Sequence, residues 1–197
     1  MTTTPILIFA TNNQHKVDEV RHVIGGRFGI VTLKEAGIDI DIPEPHDTLE
    51  ANATEKSQTI YRLTGRDCFS EDTGLETEAL NGEPGVKSAR YAGDGRDFQK
   101  NIDKLLSGLQ DKTNRKARFR AVISLILSGK EYQFEGVCDG TISTEQKGIE
   151  GFGYDPVFIP DGAGTSFAEM TISEKNRYNH RQKALTKMID FLDNYTP

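Results

Sequence analysis

The order of the first two predicted elements, a buried strand and then a helix, constrains the fold of this chain most. Residues 6–10 form a short continuous apolar run, which is typical of a buried strand. Apolar residues then recur with helical spacing from Val17 to Ile24, and Asn12 or Asn13 is a natural N-cap. We therefore expect an α/β fold.

Further patterns along the chain extend this expectation. Strands are predicted over residues 29–33, 67–70, 116–127 and 131–143, helices over 49–63, 97–109 and the C-terminal segment, and a structured loop over 81–95. Asp47 and Glu50 have the spacing of a capping box, and glycines at 25, 26 and 65 end helices. The third strand is expected to end at Glu71 and Asp72. Together these elements predict a mixed sheet with helices, in two lobes around a cleft.

Composition narrows the class of protein. A formal net charge of −6 argues against a general nucleic-acid binder, which needs excess lysine and arginine. The N-terminus lacks the pattern of a signal peptide, and no apolar run approaches the ~20 residues of a membrane span. Cys68 and Cys138 lie in apolar runs, which favours buried free thiols. We expect a cytoplasmic protein that binds neither nucleic acid nor membrane.

The segment between the first strand and the first helix has the features of a phosphate-binding turn. Backbone N–H groups at a helix start are unpaired and point outward, so anions bind there. Lys16 in the first helical turn opposes the helix dipole, at a cost of roughly a few tenths of a kcal/mol unless a phosphate lies beside it. An ordinary capped helix with a solvent-facing lysine is the alternative interpretation.

Two carboxylates are candidates for a metal site. Glu44 lies between two prolines that restrict its backbone, and Asp72 lies at the predicted end of a strand. Carboxylates and waters suit Mg²⁺, which shares its coordination shell with substrate phosphates. A solvated turn is the alternative for Asp72. Lys56 shares a helix face with Asn52, and its alternative is an ordinary surface lysine.

The C-terminal part carries residues that suit a purine base. Phe152 lies between two glycines and can stack on a base, or pack on the core instead. Asp155 can accept hydrogen bonds from a purine N–H. Asn179 and Gln182 have the spacing of a capping box, which places His180 and Arg181 in a first helical turn, where their positive charge again opposes the helix dipole. Two such conflicts suggest anionic or carbonyl-bearing ligands at both helix starts.

These motifs keep one order and spacing from residue 6 to about residue 190. They are Thr11-x-Asn13-x-x-Lys16, Glu44, Asn52-x-x-x-Lys56, Glu71-Asp72-Thr73-Gly74-Leu75, Ser88-Ala89-Arg90-Tyr91, Gly151-Phe152-Gly153-Tyr154-Asp155-Pro156, and Lys175 with His180-Arg181. In combination they resemble the Ham1/inosine triphosphatase family of non-canonical purine nucleoside triphosphate pyrophosphatases.

The resemblance implies Mg²⁺-dependent hydrolysis of dITP, ITP and XTP to the monophosphate and pyrophosphate. It also implies one domain over residues 1–197, with a long mixed sheet flanked by helices and two lobes around a central substrate cleft, usually in a homodimer.

The resemblance also implies roles for individual residues. Asp72 matches the catalytic base, Glu44 and Asp72 match the metal ligands, and Glu71 is a plausible helper. The implied triphosphate contacts are Thr11, Asn12, Asn13, Gln14, His15, Lys16, Lys56 and Thr73. The implied base contacts are Phe152, Gly153, Tyr154, Asp155, Lys175, His180 and Arg181.

One departure from the family pattern and two rival functions remain. Asn179 stands where the family usually has serine; both residues cap helices well, so the departure affects only a contact of the serine hydroxyl. A Maf-type nucleotide pyrophosphatase is the first rival, and a catalytically silent nucleotide sensor is the second. The motifs around Phe152 and Arg181 disfavour the first, and the carboxylates disfavour the second.

Overall fold

The computed structural model describes residues 6–24 and 28–195. Within these ranges the chain forms seven strands and five α-helices. They are β1 (Ile6–Phe9), α1 (Gln14–Ile24), β2 (Gly29–Thr32), α2 (Leu49–Thr64), β3 (Cys68–Thr77), β4 (Pro84–Gly85), α3 (Phe98–Gly108), β5 (Lys116–Leu127), β6 (Lys130–Ile142), β7 (Phe158–Pro160), α4 (Ile172–Lys175) and α5 (His180–Asn194). Gly25 and Gly26, predicted to end the first helix, lie outside the described residues.

The seven strands form one mixed sheet in the order β2-β1-β3-β5-β6-β7, with β4 beside β3. β1 runs parallel to both neighbours, in the register Ile8 with Val31 and Phe9 with Phe69. β3 and β4 are antiparallel, as are β6 and β7. The predicted α/β fold with a mixed sheet is therefore confirmed.

The described residues divide into two compact units. The first unit comprises residues up to Asp72, together with 121–136 and 181–195. The second unit comprises residues 73–120 and 137–180. β3, β5 and β6 contribute residues to both units, so the chain passes between them along strands.

The first unit buries its strands on both faces. Leu7 and Phe9 of β1 pack in one apolar cluster with α1 and α5, whereas Ile8 packs in another with Ile60 of α2. Side chains alternate across a strand, so α1 with α5 and α2 cover opposite faces of the sheet. Phe9 and Phe69 stack with ring centroids 4.4 Å apart, which ties β1 to β3. The continuous apolar run at the N-terminus follows from this two-sided burial.

The second unit has its own aromatic core. Phe119 of β5 packs edge-on against Phe158 of β7, with ring centroids 4.7 Å apart. Ile102 and Leu105 on the buried face of α3 join this cluster, as the sequence periodicity predicted. Asp97 caps α3 by accepting a hydrogen bond from the backbone N–H of Lys100.

Two local predictions were wrong. The N-cap of α2 is Thr48, whose hydroxyl accepts from the backbone N–H of Ala51 at 3.2 Å, and Asp47 lies one residue too early. β3 does not end at the acidic pair but continues to Thr77, so Glu71 and Asp72 are buried in mid-strand. Gly65 ends α2 in the left-handed conformation at φ 64°, as predicted.

No helix of the described chain combines the length and apolarity that a membrane crossing requires.

Candidate active site

Two adjacent carboxylates in the middle of β3 organise the charged residues of the first unit. Glu71 and Asp72 are 2% and 6% exposed, so neither can keep its charge without partners. Because neighbouring strand residues point to opposite faces, Asp72 meets Lys56 of α2 while Glu71 meets Arg181 of α5. The pair therefore extends into two ionic clusters, one on each face of the sheet, and the backbone carbonyl of Glu71 accepts from a lysine of each.

The cluster around Asp72 joins both predicted metal-binding carboxylates to one lysine. The Lys56 Nζ lies 2.8 Å from Glu44 Oε1 and 2.8 Å from Asp72 Oδ1. It also donates to the backbone carbonyl of Glu71 at 3.0 Å. Burial lowers the pKa of Lys56, but Asp72 and Glu44 more than offset this, so its pKa is raised and the ammonium stays charged. Burial raises the pKa of Asp72 despite the two nearby lysines.

The loop that carries Glu44 is held against α2 by Asn52. Its side-chain carbonyl accepts from the backbone N–H of His46 at 2.9 Å, and its amide donates to the His46 carbonyl at 3.1 Å. Asn52 is 1% exposed and lies one helical turn before Lys56, as the spacing predicted. One face of α2 therefore fixes both the loop of Glu44 and the lysine that Glu44 contacts.

A carboxylate that the sequence did not single out anchors α2 to the hairpin of β5 and β6. Glu131 Oε1 accepts from the hydroxyls of Thr54 at 2.5 Å and Ser124 at 2.7 Å. Ser124 also lies 2.6 Å from the hydroxyl of Ser57, the residue after Lys56. Burial raises the pKa of Glu131, but these hydrogen bonds outweigh it, so its pKa is lowered.

Replacing Glu131 with glutamine tests this anchor. We expect Glu131→Gln to lower the free energy of unfolding at neutral pH by about 1–3 kcal/mol, because a charged acceptor of several hydrogen bonds is lost. A lowered folded-state pKa adds stability above the unfolded pKa, and this is lost as pH falls through the folded pKa. The difference from the native chain should therefore shrink in acid. Urea unfolding at several pH values measures it, with the exposed Glu145→Gln as control. A pH-independent difference would contradict the assignment.

The cluster around Glu71 holds Arg181. The guanidinium bonds Glu71 through Nε at 2.6 Å and Nη2 at 2.9 Å, and its Nη1 bonds Glu19 of α1. Lys16 Nζ lies 3.3 Å from Glu71 Oε1, and burial lowers the pKa of this lysine in spite of that carboxylate. The two cations that oppose helix dipoles thus share a carboxylate of the protein. The charge conflict noted in the sequence is balanced internally and does not by itself require a ligand.

The turn before α1 is tied by its own side chains. Asn13 is the N-cap, with its side-chain oxygen 3.3 Å from the backbone N of Lys16, and Thr11 accepts from the N–H of Asn13 at 3.1 Å. Asn12 donates to the carbonyl of Ile40 at 3.0 Å. Gln14 and His15 are exposed. A groove of about 520 Å³ lies beside this turn, lined in part by Thr11, Asn12 and Gln14.

The second unit gathers most of the predicted base contacts around Asp155. Its Oδ2 accepts from the backbone N–H of Phe152 at 2.9 Å and from Lys175 Nζ at 2.8 Å. The Lys175 ammonium lies 5.3 Å from the centroid of the Phe152 ring. Gly151 has φ 77°, and a Cβ there would lie 2.1 Å from Asp155 Oδ2, so only glycine fits this turn. Gly153 completes the turn.

The remaining predicted contacts of this unit are fixed from the core. The Tyr154 hydroxyl donates to the carbonyl of Ser88 at 2.9 Å, which links the motif Ser88-Ala89-Arg90-Tyr91 to the turn that carries Asp155. His180 is 4% exposed, and its ring stacks on Phe119 with centroids 4.7 Å apart and 11° between the planes. Thr73, next to Asp72 on β3, is half-buried.

The structure thus sorts the predicted residues by unit. The first unit holds Thr11, Asn12, Asn13, Gln14, His15, Lys16, Glu44, Lys56, Asp72 and Arg181, and the second holds Thr73, Phe152, Gly153, Tyr154, Asp155, Lys175 and His180. Sequence reasoning missed Glu19, although it lies three residues after Lys16 on one helix. The apolar periodicity placed Phe98 on the core face of the helix over 97–109, whereas Phe98 is 40% exposed and its ring centroid lies 6.2 Å from that of Phe152.

Glu44 and Asp72 are placed so that together they could hold one divalent cation. One oxygen from each bonds the same ammonium, so the two carboxylates are close enough to serve one cation. No larger cluster of His, Cys, Asp and Glu suited to a metal occurs in residues 6–24 and 28–195. Two carboxylate ligands suit Mg²⁺, which completes its octahedral shell with waters and phosphate oxygens.

Comparison with known proteins identifies the family and agrees with the fold. A family model described as the Ham1 family matches residues 7–191. A dITP/XTP pyrophosphatase of Porphyromonas gingivalis is 50% identical over 187 residues, covering 94% of this chain and 96% of that protein. The Staphylococcus aureus Ham1 protein superposes with a TM-score of 0.87 at 34% identity, covering 95% of this chain and 98% of that one. A Ham1 protein from Coxiella burnetii superposes with a TM-score of 0.89 at 31% identity, covering 98% and 100%.

Proposed function

The chain belongs to the Ham1 family, and we infer that it hydrolyses the non-canonical purine nucleotides dITP, ITP and XTP to the monophosphate and pyrophosphate. It is a nucleoside triphosphate pyrophosphatase, as its relatives named dITP/XTP pyrophosphatase indicate. The observation that carries the inference is the cluster of Glu44, Lys56 and Asp72, because hydrolysis requires a carboxylate that positions water next to a cation that binds phosphate.

Phosphoryl transfer requires mainly positioning and charge neutralisation from the protein. Asp72 orients the water that attacks the α-phosphorus and accepts its proton, and pyrophosphate leaves as the bond from that phosphorus to the bridging oxygen breaks. Lys16, Lys56, Thr73 and the start of α1 bind the triphosphate. Glu44 and Asp72 hold Mg²⁺, which when bound neutralises charge on the phosphate oxygens.

Recognition of the base is assigned to the turn around Asp155. Phe152 stacks on the purine, and Asp155 accepts a hydrogen bond from a ring N–H. Hypoxanthine and xanthine carry a carbonyl at position 6, which donors near the start of α5, at His180 and Arg181, can bond. Adenine places an amine there, so donors would face donors, and such mismatches reject analogues by up to ~10⁴–10⁵-fold. Guanine shares the carbonyl, so its exclusion rests on the 2-amino group.

Three further properties complete the proposal. The resemblance to the family implies Mg²⁺ dependence, a homodimer and a cytoplasmic location. Light scattering of the purified protein tests the dimer, and a monomer at micromolar concentration would contradict it.

The direct test of this function is a substrate panel. Pyrophosphate release is measured from dITP, XTP, dGTP and dATP, with Mg²⁺ and with a chelator. We expect Mg²⁺-dependent turnover of dITP and XTP and little of dGTP or dATP. Equal turnover of all four would show that the turn around Asp155 does not select the base, and no turnover would favour a nucleotide sensor.

A further inference from the structure

We propose that Lys56 is a built-in counter-ion of the metal site, which occupies Glu44 and Asp72 in the free protein and releases them when a triphosphate binds its ammonium. A divalent cation then enters together with the nucleotide rather than before it. This inference rests on the proposed function, because it concerns how the site that hydrolyses the triphosphate becomes loaded.

The ammonium of Lys56 uses all its hydrogen-bond donors within the protein. A lysine ammonium has three N–H donors and no acceptor. Lys56 directs them to Glu44 Oε1 and Asp72 Oδ1, both at 2.8 Å, and to the carbonyl of Glu71 at 3.0 Å. Three donors meet three acceptors, so this arrangement leaves no donor for a phosphate. Lys56 can contact the triphosphate only by giving up bonds of this set, and a movement away from both carboxylates frees both of them.

The charges around Lys56 also disfavour binding of a divalent cation to the free protein. Two carboxylates around one ammonium carry a net charge of −1, and the ammonium already bonds an oxygen of each. A divalent cation that needs the same oxygens must compete with the ammonium for them, and the positive charge of the ammonium repels it. The side chains of Lys56 and Asp72 are each 9% exposed, so water screens this repulsion little. Free Mg²⁺ should therefore bind weakly while Lys56 stays in place.

A bound triphosphate would reverse this competition between Lys56 and the divalent cation for the two carboxylates. Its oxygens offer Lys56 anionic acceptors in exchange for the carboxylates, and they supply ligands that complete the shell of Mg²⁺. One movement of one ammonium thus provides a phosphate contact and frees two metal ligands. The inference predicts that the same lysine weakens metal binding alone and strengthens phosphate binding.

Lys16 provides a matched control. It is also a lysine with a mostly buried side chain, 14% exposed, but its ammonium contacts the carboxylate and carbonyl of Glu71. Lys16→Met and Lys56→Met remove the same charge from neighbouring positions. A specific role of Lys56 therefore predicts different effects on metal binding, whereas a general effect of net charge predicts equal ones.

The test is calorimetric titration of the nucleotide-free protein with Mg²⁺ alone. We expect Lys56→Met to bind Mg²⁺ at least 10-fold more tightly than the native chain, and Lys16→Met to change the affinity by less than about 3-fold. Lys56→Arg, which keeps the charge, should bind as weakly as the native chain. Equal affinities in the native chain and Lys56→Met, or equal gains in both methionine variants, would overturn the proposal.

Thermal unfolding covers the case in which Lys56→Met folds poorly. Loss of the ammonium leaves two adjacent carboxylates, so Lys56→Met, or the polar variant Lys56→Gln, should melt at a lower temperature that rises with added Mg²⁺. The melting temperature of the native chain should hardly respond. A variant that Mg²⁺ does not restore would overturn the proposal.

A second titration uses inorganic tripolyphosphate in the presence of a chelator. Lys56→Met should bind tripolyphosphate at least 10-fold more weakly than the native chain, because Lys56 turns to the phosphate. Unchanged binding would overturn the proposal. Neither titration uses a nucleotide or turnover, so failure of the substrate panel with success here would reject the proposed function and leave the role of Lys56 intact.

Discussion

Asp72→Asn is expected to lower the rate of pyrophosphate release from dITP by at least ~10²–10⁴-fold, the range typical of a lost general base. Asparagine has nearly the shape of aspartate but cannot accept the proton of the attacking water. It also removes one of the two carboxylates that bond Lys56 and would hold Mg²⁺. The loss should therefore appear in kcat, and the metal role should make it larger.

Steady-state rates at saturating dITP and Mg²⁺ measure this effect. Glu76→Gln is a suitable control, because Glu76 lies on the same strand but pairs with Arg118 and Arg120. It should keep nearly the native rate. If the Asp72→Asn variant retained more than a tenth of the native kcat, another group would have to activate the water.

Arg181→Met is expected to lower the free energy of unfolding by about 3–5 kcal/mol, the usual cost of removing one partner from a buried ion pair. The side chains of Arg181 and Glu71 are 2% and 0% exposed, and methionine removes the guanidinium that bonds both oxygens of the Glu71 carboxylate. Glu19 loses its contact with the guanidinium as well. The penalty arises because an incompletely paired charge cannot return to water without opening the core.

Urea unfolding with Arg21→Met as the control separates burial from pairing. Arg21 bonds Glu35 at 2.7 Å, but these side chains are 41% and 49% exposed, so its loss should cost only about 0–1 kcal/mol. Arg181→Met with Glu71→Gln should be less destabilised than the sum of the two single variants, because each alone disrupts the same pair. Additive losses, or equal losses for both arginines, would contradict this account.

The elements were predictable where local chemistry decides them. Asn13 caps α1 and Gly65 ends α2 because side-chain acceptors and left-handed glycine satisfy helix ends locally. The capping box at Asp47 failed by one residue, because Thr48 is an equally good cap and the sequence did not decide between them. Local signals therefore identify helix ends to within a residue or so.

The ionic clusters were not predictable in the same way. Glu71 and Asp72 follow an apolar run, and a polar pair at that position normally marks the end of a strand. The strand continues because distant cations compensate these charges. Lys56 pairs with Asp72 across 16 residues of sequence, and Arg181 pairs with Glu71 across 110. Such compensation depends on tertiary structure, so the sequence could indicate that these residues matter but not which charges would pair. His180 illustrates the same limit, since its stacking on Phe119 required the fold.

The fate of the attacking oxygen tests whether water attacks the α-phosphorus. dITP is hydrolysed in ¹⁸O-labelled water with Mg²⁺, and the products are analysed by mass spectrometry. If Asp72 directs water to the α-phosphorus, one ¹⁸O atom appears in dIMP and the released pyrophosphate is unlabelled. Label in pyrophosphate would contradict attack at the α-phosphorus, and release of orthophosphate in place of pyrophosphate would contradict the proposed function.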